Sequence, residues 1–364
     1  MKITFPGITR ARRLVPMAVP DSNVLEITDE QKLEEWLTTP SRQLVRFLGT
    51  LSGNLLILGA GGKMGPTLAI RAQRAAAQTG AHLNVIAASR FSDSRSKQVL
   101  NDAGVLTETV DLLDRDSINR LPDAENVIFL VGSKFGTSTN PSQTWVANTI
   151  IPSNVMQRYP RSRFVALSTG NVYPLSAVAS GGSRETDPVQ PVGEYAQAAL
   201  GRERIFQYYS GVNGTKVVLI RLNYAVDLRY GVLVDIATQV HHGRPIDLTM
   251  GFLNCLWQGD ANDAIIRSLE FAETPPRILN LTGQETLSVR QLAEEFGRLL
   301  DRNVRFTGKE APSALLSNAT EVWQRLGPAE TPFQTVLQQT ANWVRQGGRL
   351  LNKPTHFEVR DGVF

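Results

Sequence analysis

The sequence has little cysteine and histidine, the residues that build disulfides and many metal sites. Its single cysteine, Cys255, cannot form a disulfide within the chain or supply a cysteine-based metal site. The four histidines do not occur at the spacings of metal ligands: His82, His241, His242 and His356. We therefore expect no bound metal ion.

Long apolar stretches are also missing, and no segment is long enough to cross a bilayer. The first residues lack the uninterrupted apolar segment of a secretion signal, so we expect a cytoplasmic location. The net charge is only +4 over 364 residues, and Arg10, Arg12 and Arg13 form the one tight basic cluster. This weak, scattered charge argues against a protein that binds nucleic acid or a membrane surface.

Glycine, by contrast, is concentrated after one short apolar run. Residues 54–58 predict a buried strand, and a helical pattern follows over about 64–78. The candidate phosphate-binding turn between them is formed by Gly59, Gly61, Gly62, Lys63, Met64 and Gly65. Glycine lets a ligand approach the backbone closely, and the unpaired amides at a helix start attract an anion. The spacing Gly-x-x-Gly-x-x-Gly differs by one residue from the dinucleotide-binding fingerprint, so a nucleotide is the expected ligand.

Strand and helix patterns then alternate along the chain. Further strands are predicted at 83–88, 105–110, 126–131, 163–168, 216–221 and 277–281, with helices that include 143–158 and 193–209. The alternation predicts an α/β fold, a Rossmann-type doubly wound parallel sheet with a smaller C-terminal α/β substrate lobe. We predict four divisions: an N-terminal extension (1–52), an NAD(P)-binding domain (53–222), a segment that is mainly the substrate-binding lobe (223–345) and a C-terminal tail (346–364). Residues 277–283 or so are predicted to return to the sheet of the NAD(P)-binding domain.

The residue that ends the second strand selects the form of the cofactor. An acidic side chain there binds the ribose hydroxyls of NAD, whereas a basic one suits the 2′-phosphate of NADP. Here the strand ends at Ser89 and Arg90, which can both hydrogen-bond a phosphate, so NADP is favoured over NAD. An exposed loop arginine is the alternative interpretation. Residues after the third and fourth strands complete the predicted cofactor site: Asp111, Leu112, Val131 and Gly132.

Two motifs further along make the pattern specific. The fifth strand ends in Ser-Thr169-Gly-Asn171-Val-Tyr173, and Tyr195 begins the following helix. Together with the glycine turn and Asp111, these motifs resemble the extended short-chain dehydrogenase/reductase family, the NAD(P)-dependent sugar epimerases and dehydratases. The resemblance covers roughly 53–345. Because relatives often dimerise through the helix that carries this tyrosine and its neighbour, it also implies a homodimer.

The resemblance implies roles for individual residues. In that family a tyrosine transfers the proton of the alcohol that exchanges hydride with nicotinamide, and a serine or threonine hydrogen-bonds the same oxygen. The matching positions are Tyr195 and Thr169. A family lysine four residues after the tyrosine binds the ribose and lowers the tyrosine pKa, but this chain has Ala199 there. A free tyrosine has a pKa of ~10, so without a nearby cation little phenolate exists at neutral pH.

Three explanations for the missing lysine are open. Another cation replaces it, either Arg202 on the same helical face as Tyr195 or Lys134 in the segment after the fourth strand. Alternatively, Tyr195 donates its proton while neutral, which suits carbonyl reduction. In the third explanation the chain is a catalytically inactive NAD(P)-binding sensor or scaffold of the same fold. We favour catalysis, because Thr169, Tyr195 and the glycine turn are all intact.

Polar and aromatic residues near the predicted cleft suit a hydroxyl-rich ligand. Tryptophan and tyrosine stack on a sugar ring, whereas asparagine and arginine bind its hydroxyls or an acid group. The candidate substrate-binding residues are Lys134, Asn171, Tyr173, Asn223, Tyr224, Arg229 and Trp257. For each of them a structural role is the alternative. We expect a carbohydrate-type substrate, namely a sugar, a sugar acid or a nucleotide sugar, and we predict that the polar loop 176–187 is a lid over it.

Overall fold

Seven parallel strands form the central sheet in this computed structural model, which describes residues 26–92, 94–132, 140–353 and 355–362. The strands are β1 Gly53–Leu58, β2 Leu83–Ser89, β3 Leu106–Thr109, β4 Asn126–Phe129, β5 Arg163–Thr169, β6 Val217–Leu222 and β7 Arg277–Leu281. Their order is β7-β6-β5-β4-β1-β2-β3, and all neighbouring pairs are parallel. The chain order reverses between β1 and β4, and ligands of open parallel sheets bind at such a switch point.

Strand β1 is continuously apolar from Leu55 to Leu58 because helices cover both faces of the sheet at its centre. Leu55 and Ile57 face one hydrophobic cluster, whereas Leu56 and Leu58 face the other. The helices are α1 Glu30–Thr38, α2 Arg42–Leu48, α3 Gly65–Ala76, α4 Ser94–Asp102, α5 Arg115–Asn119, α6 Pro141–Trp145, α7 Ile151–Arg158, α8 Gly193–Asn213, α9 Val232–His241, α10 Gln258–Arg267, α11 Val289–Leu300, α12 Thr320–Leu326 and α13 Phe333–Arg345. This is the doubly wound α/β fold that the sequence predicts.

The helix predicted over 143–158 is divided by a wider turn. A π-helical segment, Val146–Ile150, separates α6 from α7. Pro152 lies at the start of α7 and has no N–H to donate to the preceding turn. The N–H of Ile151 bonds the carbonyl oxygen of Val146, five residues earlier, as in a π-helix. The proline therefore accounts for the interruption.

After β6 the chain builds a second lobe around its own hydrophobic cluster. Helices α9, α11 and α13 surround the buried side chains of Leu233, Phe296 and Trp343. Pairs of two-residue strands connect its loops: Ala225–Val226 with Leu256–Trp257, Ile246–Asp247 with Phe306–Thr307, Phe252–Leu253 with Leu287–Ser288, and Ser176–Ala177 with Ser313–Ala314. The last pair fastens the loop predicted as a lid, so this loop is tied to the second lobe by backbone hydrogen bonds.

Helices α1 and α2 come from the N-terminal extension. Asp29 begins α1 by accepting the N–H of Lys32 at 2.8 Å, and Ser41 begins α2 by accepting that of Leu44 at 2.9 Å. Both helices bury apolar side chains completely: Leu33, Leu37, Leu44 and Leu48. Within the described ranges, every helix is too short or too polar to span a lipid bilayer.

Contacts from these two helices reach both lobes. The Arg71 guanidinium on α3 donates to the carbonyl oxygen of Leu37 and to Asp263 on α10, each at 3.2 Å. Trp36 of α1 stacks on Trp257, which precedes α10, with ring centroids 3.9 Å apart. The N-terminal helices are therefore integrated into the fold.

Candidate active site

The glycine turn after β1 is shaped by close backbone contacts. Gly59 has a φ of +84°, and its N–H donates to the carbonyl oxygen of Ala88 in β2 at 2.9 Å. A Cβ atom on Gly65 would overlap the carbonyl of Ala60, so glycine is needed for α3 to begin against the turn. Since α3 has no side-chain N-cap, its first amides are available to an anion.

A cavity of about 380 Å³ lies between this turn and the ends of β2, β3 and β4. The predicted cofactor residues that line it are Gly59, Gly61, Gly62, Ser89, Arg90, Asp111, Leu112, Val131 and Gly132. A Cβ atom on Gly61 would lie 2.7 Å from the Ser89 hydroxyl, so glycine lets the turn approach the end of β2. The structure thus brings these residues together at one edge of the sheet.

A second cavity, of about 270 Å³, continues from the first towards the second lobe. The two cavities share Gly59, Gly62, Leu130 and Gly132. The predicted site residues that line the second cavity further are Lys63, Met64, Gly65, Thr169, Asn171, Tyr195, Arg202, Asn223 and Tyr224. One continuous cleft therefore joins the predicted cofactor turn to the predicted catalytic residues.

Two residues with hydroxyl groups, from different elements, line the second cavity. Thr169 ends β5, and its hydroxyl oxygen accepts the N–H of Asn171 at 3.2 Å while donating to the Asn171 side-chain oxygen at 3.0 Å. This cap begins a short 3₁₀ turn that fixes the orientation of Thr169. Tyr195 lies in the first turn of α8 and lines the same cavity. Thr169 and Tyr195 therefore line one cavity, which the glycine turn also lines.

The position of the family lysine is closed by apolar contacts. Ala199 is completely buried and packs against Val172 and Tyr173. An ammonium group placed among these side chains would lose its hydration without gaining a partner, which is costly. A cation near Tyr195 must therefore come from another position in the chain.

Arg202 is one such cation. It is buried, lines the second cavity and donates from Nη1 to the carbonyl oxygen of Val131 at 2.5 Å. Its Nε atom has no hydrogen-bond partner among the residues that the structure describes. A Cβ atom on Gly132 would lie 2.6 Å from Nη1, so the glycine makes room for the guanidinium. Burial lowers the pKa of Arg202, and the negative charges of Tyr195 and Glu203 in their ionised forms oppose this shift.

Lys63 is a second cation in the same cavity. Its Nζ lies 3.3 Å from the centroid of the Tyr230 ring and 3.5 Å from the carbonyl oxygen of Ala225. The side chain therefore reaches from the glycine turn to the second lobe. Burial, followed by the charges of Asp235 and Tyr195, raises the pKa of Tyr230 to about 12, which keeps its phenol neutral at physiological pH. The sequence predicts Lys63 only as a cofactor residue, and its place inside the glycine turn is the signal for this further position.

Tyr173, a predicted substrate-binding residue, is not brought to the cleft. Its hydroxyl accepts from Arg221 Nη1 at 2.7 Å and donates to the Asn280 side-chain oxygen at 2.9 Å. It is almost fully buried, and this burial raises the pKa of its phenol. We correct its role to a structural one, because both hydrogen-bonding capacities of the hydroxyl are used inside the protein.

Arg229 and Trp257 are corrected in the same way. Arg229 forms ion pairs with Asp227 at 2.7 Å and Glu34 at 2.5 Å. Trp257 is buried against the Trp36 ring, and neither residue lines either cavity. Their side chains connect the second lobe to α1.

The second cavity is also lined by Tyr230, Gly231, Val232 and Thr355, which are outside the list of predicted substrate-binding residues. Thr355 comes from the C-terminal tail, and no motif connects that tail to the cleft. Lys134, the other predicted cation, lies outside the described residues.

The cleft has the features that a dinucleotide requires. Glycines with no room for a side chain and the uncapped start of α3 suit a pyrophosphate. Ser89 and Arg90 lie in the first cavity, at the side where the adenosine ribose of a dinucleotide binds in Rossmann folds. Thr169 and Tyr195 line the second cavity, which continues from the first.

Comparisons with known proteins agree with this geometry. The chain matches the model of the NAD dependent epimerase/dehydratase family over residues 55–252. Similar solved structures include UDP-glucose 4-epimerase of Thermotoga maritima with UDP-glucose, with a TM-score of 0.65 and 16% identity over 81% of this chain and 99% of that chain. They also include dTDP-glucose 4,6-dehydratase of Bacillus anthracis with NAD, with a TM-score of 0.68 and 15% identity over 81% and 97% of the two chains. UDP-glucuronic acid 4-epimerase of Bacillus cereus with UDP-glucuronic acid and NAD has a TM-score of 0.65 and 14% identity over 81% and 99%.

A comparison with curated protein sequences gives no match. At these identities the solved structures establish the fold, and the family match, which covers more than half of the chain, establishes the family. The family resemblance carried by the glycine turn, Asp111, Thr169 and Tyr195 is thereby confirmed, as is the prediction of an enzyme of this type. The chain belongs to the NAD-dependent epimerase/dehydratase family.

Proposed function

We propose that this protein is an NAD(P)-dependent epimerase/dehydratase or oxidoreductase that acts on a sugar, a sugar acid or a nucleotide sugar. The observation that carries the proposal is that Thr169 and Tyr195 line one cavity together with the glycine turn. The solved relatives that hold UDP-glucose or UDP-glucuronic acid support a carbohydrate-type substrate. Asn171, Asn223 and Tyr224 line the same cavity and can hydrogen-bond sugar hydroxyls.

In the proposed mechanism Tyr195 transfers a proton to or from the reacting oxygen of the substrate, and Thr169 hydrogen-bonds that oxygen. When bound, NAD(P) supplies the carbon that accepts or returns a hydride. Arg202 and Lys63 place positive charge in the cavity, which stabilises the negative charge that forms on the phenol oxygen when its proton leaves. These two cations take the place of the lysine that Ala199 replaces.

A catalytically inactive NAD(P)-binding sensor or scaffold is the second candidate. Ala199 favours it, because the position of the family lysine is filled by apolar packing. The two candidates differ in a measurable way, since a sensor binds the cofactor but converts no carbohydrate. A cytoplasmic location stays a prediction from the sequence.

The cofactor preference is tested by fluorescence titration with NADPH and NADH. We propose NADP, because Ser89 and Arg90 line the first cavity where β2 ends, although two of the solved structures named above hold NAD. The Arg90→Ala variant should bind NADPH at least about ten-fold more weakly and NADH nearly unchanged, since a charge-assisted hydrogen bond is lost. Arg115→Ala, at an exposed position on α5 outside both cavities, is the matched control. Equal binding of both dinucleotides by the unaltered protein would contradict the preference.

Catalysis is tested by adding sugars, sugar acids and nucleotide sugars to the cofactor-bound protein. Nicotinamide absorbance reports net oxidation or reduction, and NMR of the carbohydrate reports epimerisation or dehydration in which the hydride is returned. Conversion of any member of the panel supports the enzyme. Cofactor binding without conversion of any of them supports the sensor.

We also propose a homodimer formed by α8 and the neighbouring helices α6 and α7. Large apolar side chains are exposed along these packed helices: Trp145 (36%), Ile150 (50%), Tyr208 (62%) and Val212 (63%). Burying such a surface against a second copy is favourable.

Light scattering is expected to give the mass of a dimer for the unaltered protein and that of a monomer for the double variant Tyr208→Glu/Val212→Glu. The control is Val99→Glu, which changes another exposed apolar residue (43%), on α4 and outside both cavities. A monomeric unaltered protein would refute the proposed interface.

A further inference from the structure

The C-terminal segment, residues 349–353 and 355–362, is bonded to the second lobe next to the reaction cavity. The N–H of Leu351 donates to the carbonyl oxygen of Arg229 at 2.9 Å. The N–H and the hydroxyl of Thr355 both donate to Asp235 on α9, at 2.9 and 2.5 Å. These bonds hold Thr355 at the wall of the second cavity, which it lines.

The remainder of the segment crosses to the first lobe. The Phe357 ring is buried in the hydrophobic cluster of the second lobe. The Arg360 guanidinium donates to the carbonyl oxygen and to the hydroxyl of Ser313, at 2.9 and 2.8 Å. Gly362 then packs so closely on Gly193, the first residue of α8, that a Cβ atom on Gly193 would overlap its carbonyl oxygen. The segment therefore spans from α9 to the helix that carries Tyr195.

The space behind this wall is small. The second cavity, which continues into the first, has a volume of about 270 Å³, close to the lower end of the roughly 300–1,000 Å³ typical of sites for small molecules. It is also lined by the glycine turn, so a bound dinucleotide would fill part of it. The remaining volume suits one sugar ring, whereas a nucleotide sugar adds two phosphates, a ribose and a base.

The charges of the cavity lead to the same conclusion. Of the described residues that line it, Lys63 and Arg202 are the cations, and both come from the first lobe. The wall formed by Tyr230, Gly231, Val232 and Thr355 offers no arginine or lysine to the diphosphate of a nucleotide sugar. The second lobe thus presents an uncharged wall where such a group would extend.

We propose that the C-terminal segment restricts the substrate to a single sugar ring without a nucleotide, a free sugar or sugar acid. This inference rests on the proposed function and narrows its substrate class. Thr355 and the residues that fasten its segment, Phe357 and Arg360, are then determinants of specificity that act by excluding the nucleotide.

Calorimetry on the full chain saturated with cofactor tests the proposal, with UDP-glucose as one probe and a panel of free sugars and sugar acids as the other. We expect binding by at least one free sugar or sugar acid and none by UDP-glucose at millimolar concentration. Submillimolar binding of UDP-glucose in competition with the free sugar would overturn the inference. The proposed function would fail by a different result, namely that the protein binds no dinucleotide or converts no carbohydrate.

Loosening the wall provides a second test. Arg360→Ala should raise the KM of the accepted sugar at least about five-fold with little change in kcat, since it loosens a wall that surrounds the sugar in the ground and transition states alike. The same change should make UDP-glucose binding detectable. Phe357→Ala should raise the KM and the binding of UDP-glucose further. Because the Phe357 ring is buried, this variant risks unfolding, and the result with Arg360→Ala is therefore the decisive one. Arg325→Ala, which removes an ion pair with Glu321 on α12, is the control. An Arg360→Ala protein with an unchanged KM and continued exclusion of UDP-glucose would show that the segment is not the determinant.

Discussion

Replacing Tyr195 with phenylalanine is expected to lower turnover by about a thousand-fold, because general acid–base groups typically raise reaction rates by a factor on the order of 10²–10⁴. Cofactor affinity should stay within about two-fold of its original value. The substitution removes only the phenolic hydroxyl, the group that we assign to proton transfer in the cavity shared with Thr169. The ring remains, so the packing at the start of α8 is preserved. Steady-state kinetics with the accepted carbohydrate and a dinucleotide titration measure the two quantities separately.

Tyr208→Phe is the matched control, because it removes the same hydroxyl from the same helix, outside both cavities, and keeps the apolar ring that the proposed dimer interface uses. Its turnover should equal that of the unaltered protein. If Tyr195→Phe retains turnover within about two-fold, proton transfer belongs to another group, since even a weak general acid–base contributes about a hundred-fold. An equal loss of cofactor affinity would instead indicate damage to the fold.

Replacing Glu203 with glutamine is expected to lower the free energy of unfolding by about 3–5 kcal/mol, the usual cost of breaking a buried ion pair by removing one partner. Glu203 is fully buried and accepts from Arg221 at 2.8 and 2.9 Å and from Ser168 at 2.5 Å. Burial opposes the charge on Arg221, but the hydrogen bonds and charge of Glu203 outweigh it and hold the pKa of Arg221 above its usual range. Glutamine keeps the shape and removes the charge, which leaves a buried guanidinium uncompensated.

Urea unfolding of the two proteins measures this difference. Glu321→Gln is the control, since Glu321 pairs with Arg325 and Arg277 at the surface and such pairs contribute only about 0–1 kcal/mol. Similar losses in both variants would mean that burial does not strengthen the Glu203 pair. The pair lies directly behind Thr169, because Ser168 precedes it in β5, so a drop in turnover is expected to accompany the loss of stability.

The fold and the centre of the site follow from local signals in the sequence. Apolar strands that alternate with helices specify a parallel sheet, and the ends of its strands meet at one edge. Thr169 and the glycine turn both follow strands, and for that reason they reach the same cleft although they are far apart in the chain. Tyr195 joins them because it begins the helix that returns from β5.

The outer residues of the site are decided by contacts between distant segments, which local patterns do not contain. A tyrosine or tryptophan can face a ligand or the core equally well by its chemistry. Tyr173 turns inward because Asn280, 107 residues later, accepts its hydroxyl. Trp257 turns inward because Trp36 from the N-terminal extension covers it. Thr355 enters the cavity wall for the same kind of reason, since Asp235, 120 residues earlier, holds it there.

Helices α1 and α2 have a consequence for how this protein is handled in the laboratory. The family match begins at residue 55, yet the leucines of these helices complete the packing of α3 and α10. The carbonyl oxygen of Leu37 also accepts a hydrogen bond from buried Arg71. A fragment trimmed to the matched region would expose the apolar surfaces of α3 and α10 to water and would therefore be prone to aggregate. The folding unit therefore begins before the region of family similarity, and an expression clone should include α1 and α2.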